Sequence, residues 1–260
     1  MAELDDAYAN AAYIPDADGF LRRWPRIAAA FRDTCGARYK RRAYGPGARH
    51  WFDLFLPEED TENTLIFVHG GYWLRFDPSY WSHLAAGALA RGWAVAMPCY
   101  DLCPDAGIHE ITQQLAAAVE SVAWQRNGKL SLAGHSAGGH LVARMLAPGL
   151  LIGDTMARLT HVVPISPVTD LRPLLRTSMN ADFKLDQAAA IAESPVFQPK
   201  PSVAVAIWVG ADERPVFLDH ARWLKDAWAC DEVIVPGAHH FDIIDALADP
   251  SSDMVQRLTG

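Results

Sequence analysis

The sequence is short of cysteine, of basic charge and of long apolar runs, and each shortage excludes a class of protein. Its four cysteines, Cys35, Cys99, Cys103 and Cys230, have no second Cys/His pair at zinc-finger spacing and favour reduced thiols in a cytosolic protein. With 23 basic and 31 acidic residues the net charge is −8, which argues against a nucleic-acid-binding surface or an anionic-membrane anchor. The longest apolar runs fall far short of the roughly 20 residues that a membrane helix needs.

Two further absences concern targeting and cofactors. The first residues are acidic and lack the basic segment and apolar run of a signal peptide, so a cytoplasmic location is expected. Neither a G-x-G-x-x-G nor a P-loop pattern suggests a nucleotide, and no His/Asp cluster has metal-ligand spacing. We therefore expect no cofactor, no metal, and a small-molecule substrate rather than a nucleic-acid or membrane partner. The sequence does not set the oligomeric state, for which a homodimer is one option.

What the sequence does contain is a series of short apolar segments, and half of its 260 residues are hydrophobic. Two alternating segments, 37–44 and 48–57, flank the turn at 45–47 and predict an antiparallel hairpin. The later segments are continuous apolar runs, which are typical of buried parallel strands. These runs are 64–69, 93–98, 129–134, 161–166, 203–210 and 231–237.

Helical patterns separate these strands. An apolar face repeats along 108–125 and ends before Asn127–Gly128, while an earlier helix-like segment, 21–33, is interrupted by Pro25. Further helices are predicted at 80–91, 138–147 and 216–229. Alternating strands and helices imply one α/β domain over residues 1–260, with a mostly parallel central sheet and helices on both faces. Ligands in such sheets bind at the carboxyl ends of the strands.

A serine stands at one of these strand ends. Gly134-His135-Ser136-Ala137-Gly138 lies between a predicted strand and a predicted helix, which is the G-x-S-x-G pattern in its required context. The tight turn lifts the serine hydroxyl above the sheet, and the following helix begins with free N–H groups. The pattern predicts Ser136 as a nucleophile.

A second glycine-rich segment follows an earlier strand. His69-Gly70-Gly71-Tyr72-Trp73 comes directly after the run 64–68. Acyl transfer builds negative charge on a carbonyl oxygen, and fixed backbone N–H groups stabilise it. The expected donors of this oxyanion hole are the N–H groups of Gly71, Tyr72 and Ala137.

The serine needs a base and an orienting acid, which follow it in the order acid, then histidine. Two adjacent histidines, His239 and His240, end the last strand-like run. His240 is favoured because it directly precedes a periodic apolar stretch, which predicts a final helix. The acid is expected after the preceding strand, where Asp212 and Glu213 are adjacent. The residues alone do not choose between these two carboxylates.

Together these motifs resemble the kynurenine formamidases, or arylformamidases, of the α/β-hydrolase fold. The resemblance rests on H-G-G-Y-W (69–73) followed by G-H-S-A-G-G-H (134–140), and it covers most of the chain from about residue 60 onward. It continues through segments 100–104, 164–186, 192–197 and 239–247. The resemblance implies an α/β-hydrolase fold and a serine hydrolase with a Ser-acid-His triad.

The resemblance also assigns residues and a reaction. It implies Gly71 and Tyr72 as oxyanion donors, His240 as the base, and Glu213 as the acid, because Glu213 stands three residues after Gly210. The animal enzymes look as if they use aspartate there, so the glutamate is a departure. The implied reaction is hydrolysis of N-formyl-L-kynurenine to kynurenine and formate, in tryptophan catabolism. A carboxylesterase or amidase acting on another small ester or amide is the alternative.

Expectations about substrate contacts are less specific. Trp73 and Tyr72 adjoin the oxyanion hole and are expected to flank the substrate ring, with packing under the loop as the alternative for Trp73. Arg172, Arg176 or Asn180 is expected to meet the charged tail. Residues 1–45 match the family only loosely and are expected as an extension that forms a partial lid. Of the nine tryptophans, those on predicted strands and helices, Trp124 among them, are assigned to the core.

Overall fold

The fold is built around one sheet. The computed structural model describes residues 2–59 and 61–260, and in this part of the chain eight strands pair in the order β1-β2-β4-β3-β5-β6-β7-β8. The strands are β1 (Tyr39–Ala43), β2 (Trp51–Phe55), β3 (Thr64–Val68), β4 (Ala94–Pro98), β5 (Leu130–His135), β6 (Leu159–Ile165), β7 (Ala204–Gly210) and β8 (Asp231–Val235). Each predicted parallel strand is present to within two residues.

The pairing directions match the predicted topology. β1 and β2 form the antiparallel hairpin, with Tyr39 opposite Phe55 and Ala43 opposite Trp51. β2 is also antiparallel to β4, and every later pair is parallel. The expected α/β-hydrolase architecture, a mostly parallel sheet that begins with an antiparallel hairpin, is therefore confirmed.

Helices cover the sheet and connect its strands. They are α1 (Ala17–Cys35), α2 (Ala86–Ala90), α3 (Ile108–Gln125), α4 (Ala137–Arg144), α5 (Gly153–Arg158), α6 (Asn180–Phe183), α7 (Gln187–Ala192), α8 (Pro215–Trp228) and α9 (Asp253–Leu258).

Two apolar cores lie on opposite faces of the sheet. Because side chains alternate along a strand, Ile66 and Val68 of β3 belong to one core, and Leu65 and Phe67 to the other. The first core packs against α3, α4 and α8. The second packs against α1, α2 and α9. The sheet is thus covered on both faces, as parallel sheets require.

Three local expectations are wrong. Pro25 does not interrupt α1, which is held through the proline by burial of Trp24 and Ala28, one turn apart on its inner face. The helix predicted after His240 is instead a 3₁₀ segment, Ile243–Ala248, and Pro250 separates it from α9. Trp124 is not in the core: its side chain is 87% exposed on α3.

Residues 80–91 also differ in detail from the single helix that was predicted there. The segment contains two 3₁₀ turns, Pro78–Tyr80 and Ser82–Ala85, before the short α2. Arg32 of α1 donates hydrogen bonds to Ser79 O and Ser82 Oγ, both at 2.7 Å, and so holds α1 against these turns. This contact brings α1 close to the end of β3, where the glycine-rich loop begins.

Candidate active site

The turn between β5 and α4 carries Ser136 in a strained conformation. Its φ of +56° and ψ of −115° are unfavourable for a residue with a side chain, as expected for a nucleophile elbow. The flanking glycines are sterically required: a Cβ on Gly134 would lie 2.2 Å from Gly138 O, and one on Gly138 would lie 2.0 Å from Val68 O. The G-x-S-x-G spacing therefore reflects the close approach of β5, α4 and β3.

The loop after β3 lies directly against this serine. A Cβ on Gly70 would lie 2.8 Å from the backbone oxygen of His135 and 3.1 Å from Ser136 Cβ, which leaves no room for a side chain there. Gly71 and Tyr72 have φ values of +111° and +55°. Neither of their N–H groups donates a hydrogen bond to a described residue. Ala137 is the first residue of α4, and its N–H has no acceptor within the helix. Gly71 and Tyr72 line the same cavity as Ser136, and Ala137 follows Ser136 in the chain.

A buried aromatic stack supports this loop. The His69 ring stacks on Tyr100 with centroids 4.4 Å apart and planes 5° apart. Burial lowers the pKa of His69 to about 4, so the ring is neutral, and its Nδ1–H donates to Gly70 O at 2.8 Å. The Tyr100 hydroxyl donates to His69 O at 2.8 Å. These bonds fix the peptide that precedes Gly71.

The structure brings Glu213 and His240 together. His240 Nδ1–H donates to Glu213 Oε2 at 2.6 Å, and both side chains are buried. Glu213 Oε1 accepts a 2.5 Å hydrogen bond from Ser166 Oγ and a 2.8 Å hydrogen bond from Gly210 N–H. Asp212, the other candidate acid, is exposed and contributes only its N–H, which donates to a backbone carbonyl at 3.0 Å.

Two other histidines adjoin His240 without contacting Glu213. His135 packs against the His240 ring, with centroids 4.6 Å apart, and its Nε2–H donates to His240 O at 2.8 Å. Burial, followed by the nearby His240, holds the pKa of His135 well below its usual value, so His135 is neutral. His239 accepts the Phe241 N–H through Nδ1 at 3.1 Å and packs edge-on against Phe20. His239 therefore shapes the loop, and His240 faces the acid.

Ser136 and His240 line the same cavity, which has a volume of about 540 Å³. Among the described residues no hydrogen bond joins their side chains. This bond is often long before substrate binds, so its absence does not separate the two groups functionally. The cavity walls are strongly aromatic. The aromatic residues are Trp24, Tyr72, Phe76, Trp81 and Phe241, with Tyr8 at the far wall.

One wall of the cavity comes from the N-terminus. Residues 5–12, here called the N-terminal strap, run across the cavity and contribute most of their side chains to its lining. Burial lowers the pKa of His220 to about 3, and its Nδ1 accepts the Thr169 N–H at 3.1 Å, so Nε2 carries the proton and donates to Tyr8 Oη at 2.9 Å. The Tyr72 hydroxyl donates to Tyr8 O at 2.8 Å. The strap is therefore fastened both to α8 and to the glycine-rich loop that follows β3.

The expected contact of Trp73 with a substrate ring is not found. Trp73 is fully buried, edge-on to His140 at 5.0 Å and to Phe183 at 5.7 Å. Trp73 has a φ of +55°, as Tyr72 before it does, so both residues have left-handed backbone conformations in this tight turn. The Trp73 ring packs beneath the loop. The tryptophans that do line the cavity are Trp24 and Trp81, which come from α1 and from the turn before α2.

The residues expected to meet a charged tail also lie elsewhere. The Asn180 side chain closes the turn after α6 by donating to Leu185 O at 3.1 Å and accepting from Leu185 N at 3.0 Å. Arg172 and Arg176 are each engaged by a carboxylate outside the cavity. Their guanidinium groups therefore satisfy local ion pairs, and the neighbouring Ser178 and Met179 reach the cavity in place of Asn180.

Sequence reasoning missed several residues that the structure places at the site. Ser166 had a usable signal, since it directly follows the last residue of β6 at the carboxyl edge of the sheet. Asn10 had none, because it lies before the first strand in a segment without a motif. Arg75 stands just beyond the glycine-rich motif, and its place at the cavity depends on how that loop turns.

Within residues 2–59 and 61–260, no three His, Cys, Asp or Glu side chains are grouped so that they could hold a metal ion. None of the helices in that same part of the chain combines the length and the apolar character needed to cross a membrane.

Comparison with known proteins places this geometry in a family. Residues 65–203 match the family described by the α/β-hydrolase fold. The kynurenine formamidase of Salmo salar is 27% identical over 231 residues, which cover 83% of this chain and 79% of that protein. The kynurenine formamidase of Drosophila melanogaster is 28% identical over 232 residues, covering 81% and 77%.

A solved structure is similar over the whole chain. The crystal structure of a protein from Silicibacter sp. TM1040, described there as a thioesterase candidate, has 56% sequence identity, a TM-score of 0.98 and complete coverage of both chains. A thioesterase cleaves an acyl C–S bond and a formamidase an acyl C–N bond, so the two descriptions differ in the leaving group and agree on a hydrolase. The chain is therefore a hydrolase that belongs to the α/β-hydrolase family, with kynurenine formamidases among its relatives.

Proposed function

We propose that this hydrolase cleaves aryl formamides, with N-formyl-L-kynurenine as the substrate and L-kynurenine and formate as the products. The observation that carries the proposal is the aromatic wall of the cavity that Ser136 lines. A formyl group needs little room on the acyl side, so selectivity has to come from the leaving group, and an aromatic wall suits an aryl leaving group. The similarity to curated kynurenine formamidases supports the same substrate class.

In the proposed first step, Ser136 Oγ attacks the formyl carbon while His240 Nε2 accepts the hydroxyl proton. Glu213 holds the Nδ1–H of His240 through the 2.6 Å hydrogen bond and stabilises the imidazolium that forms. The formyl oxygen becomes an oxyanion. The N–H groups of Gly71, Tyr72 and Ala137 stabilise this charge, and one such donor is typically worth about 3–4 kcal/mol.

In the proposed second step, the imidazolium of His240 gives its proton to the aniline nitrogen, and the C–N bond breaks. The amine leaves and a formyl ester remains on Ser136. Water then attacks this ester with His240 as base, and formate is released with regeneration of the serine hydroxyl. In this proposal the N-terminal extension belongs to the site, because the N-terminal strap forms one wall of the cavity.

An ester or thioester substrate is the second candidate, favoured by the thioesterase description of the 56% identical protein. The same triad and oxyanion donors serve all three acyl-transfer reactions, so the leaving-group side of the cavity has to discriminate. The test compares kcat/KM of the purified protein for N-formyl-L-kynurenine, phenyl acetate and a short-chain acyl thioester. We expect the formamide to be preferred. A preference for either ester by orders of magnitude would overturn the formamidase proposal.

The control variant in this comparison is Ser136→Ala. Loss of a nucleophile in such a triad lowers kcat by at least about 10⁴-fold. An unchanged rate in Ser136→Ala would mean that the activity does not come from this site at all.

A further inference from the structure

Two polar groups of the cavity, the side-chain oxygen of Asn10 and the guanidinium of Arg75, have no hydrogen-bond or ion-pair partner among the described residues. Asn10 is buried with 7% exposure, lines the cavity, and its Oδ1 accepts no hydrogen bond. Arg75 also lines the cavity, and its guanidinium lies within ion-pair distance of no described carboxylate. Buried polar atoms are nearly always hydrogen-bonded in folded proteins, so an orphaned acceptor in a substrate cavity points to a donor on the ligand.

The orientation of Asn10 follows from its neighbour. The Tyr72 hydroxyl donates its proton to Tyr8 O at 2.8 Å, so its oxygen is left as an acceptor. Asn10 Nδ2 lies 3.4 Å from that oxygen and donates to it, which leaves Oδ1 as the free end of the amide. The N-terminal strap is anchored by His220, so this acceptor is held in place before substrate arrives.

Arg75 lies on the same loop as the oxyanion donors, where its own N–H donates to Gly71 O at 3.2 Å. Its side chain is exposed at the cavity, and its guanidinium stands 5.6 Å from the centre of the Phe76 ring. The strap carboxylates are already used. Asp5 accepts two backbone N–H groups at 2.6 Å, and Asp6 accepts from Tyr13 and Arg214. The Arg75 charge is therefore available to an anion.

We infer that Asn10 and Arg75 are specificity-determining residues that bind an α-amino acid tail on the leaving group. Asn10 Oδ1 accepts a hydrogen bond from the ammonium, and the Arg75 guanidinium binds the carboxylate. The inference rests on the proposed function, because it takes an aryl formamide as the reacting part of the substrate. It adds that the site distinguishes a zwitterionic aryl formamide from a neutral one.

The test uses four formamides that share one reacting group. They are N-formyl-L-kynurenine, N-formylkynurenamine without the carboxylate, the desamino acid without the ammonium, and 2-formamidoacetophenone with neither. The wild-type protein is expected to prefer N-formyl-L-kynurenine over 2-formamidoacetophenone in kcat/KM by at least about 10- to 100-fold, the usual range for a lost hydrogen bond to a charged group.

The variants separate the two contacts. Arg75→Gln is expected to lower kcat/KM by about 10- to 100-fold only for the two substrates with a carboxylate. Asn10→Leu is expected to lower it by a similar factor only for the two with an ammonium. Arg22→Gln on the exposed side of α1 is the matched control and should change none of the four values. Circular dichroism and the thermal midpoint, measured on Asn10→Leu and on the wild type, test whether this variant is folded.

Two outcomes overturn the inference and are distinguishable. If the wild type hydrolyses all four formamides alike, or if each variant loses the same factor on all four, the formamidase proposal survives and tail recognition by Asn10 and Arg75 is wrong. If the wild type hydrolyses none of the four but cleaves the ester or thioester, the proposed function itself is wrong.

Discussion

Glu213 and Glu193 are both buried, and each accepts a hydrogen bond from a histidine, but only Glu193 is also paired with an arginine. Glu193 is bound by His109 Nδ1 at 2.7 Å, by Thr112 Oγ1 at 3.0 Å and by Arg144 Nε at 3.1 Å. Glu213 has hydroxyl, amide and imidazole partners, and no arginine or lysine among the described residues lies within ion-pair distance of it.

The pKa of Glu193 shows the effect of the arginine. Burial alone would raise it, but the hydrogen bond from His109 and the positive charge of Arg144 outweigh burial, so the pKa of Glu193 is lowered. Its negative charge is balanced permanently within the fold. In the proposed mechanism, His240 balances the charge of Glu213 when its ring takes up the serine proton. We therefore expect Glu193 to matter for stability and Glu213 for activity.

The largest expected effect is a loss of kcat on replacing Glu213. In Glu213→Gln the amide oxygen takes the side that accepts from Ser166 and Gly210, so the amide NH2 faces His240 Nδ1. An NH2 group donates to Nδ1 and favours the tautomer with the proton on Nε2, which cannot accept the serine proton. We expect kcat to fall by about 10⁴-fold, with a much smaller change in thermal midpoint. Asp212→Asn is the matched control and should retain nearly all activity. Equal, small losses in the two variants would show that neither carboxylate orients His240.

Replacing Glu193 should have the opposite effect: the protein should lose stability and keep its activity. Glu193→Gln leaves Arg144 buried without a counter-ion, and breaking such a pair typically costs about 3–5 kcal/mol in the free energy of unfolding. The kcat of the folded protein should change little. Urea unfolding and kinetics on the same preparation measure both quantities. A large loss of kcat without loss of stability would place Glu193 in the chemistry and remove the distinction.

Ser166 tests whether the carboxylate of Glu213 has to be held in place for activity. In Ser166→Ala, Glu213 Oε1 keeps only the Gly210 N–H, so the carboxylate is less firmly oriented, and kcat should fall about tenfold. The KM should stay nearly unchanged, because Ser166 does not line the cavity. Ser131→Ala, another buried serine, is the control. An unchanged kcat in Ser166→Ala would reduce Ser166 to a packing role.

The smallest effect per residue concerns pH and the free energy of unfolding. Burial lowers the pKa of His69 and His140 to about 4 and that of His220 to about 3, against about 6.5 in an unfolded chain. Below about pH 6.5 the unfolded chain therefore binds protons that the folded chain does not, and stability falls as pH falls. Each residue contributes roughly 1.4 kcal/mol per pH unit between its two pKa values.

Urea unfolding at pH 7.5 and pH 5.5 measures this dependence. His140→Gln, which removes one of the three buried groups, should flatten it. A free energy of unfolding that is the same at both pH values would mean that these histidines are already protonated in the folded protein.

Most of the fold was predictable from local features of the sequence. The strands were predictable because apolar runs and turn residues are local, and the serine turn because its steric demands select glycine at fixed spacing. The face of α3 was predictable too. Its apolar positions 108, 111, 115, 119 and 122 form one stripe, and Trp124 lies outside it, so the exposure of that ring was readable from the same pattern.

The cavity was less predictable because it is assembled from distant parts of the chain. Trp73 is adjacent to the oxyanion donors in sequence but packs beneath them, while Trp24 and Trp81 reach the cavity through the docking of α1. Which ring faces the substrate depends on a turn and on helix packing, and neither is encoded by neighbouring residues. The continuation of α1 through Pro25 is another tertiary effect, since burial of its inner face outweighs the local preference.

The fastening of the N-terminal strap has a consequence for how the protein becomes active. Tyr8 and its partner His220 are 212 positions apart, so the ribosome makes the strap long before its anchor. The wall that the strap provides therefore cannot form until α8 has emerged and packed. A nascent chain can hold the serine turn already folded and still lack a closed cavity, so maturation of the binding site waits for α8.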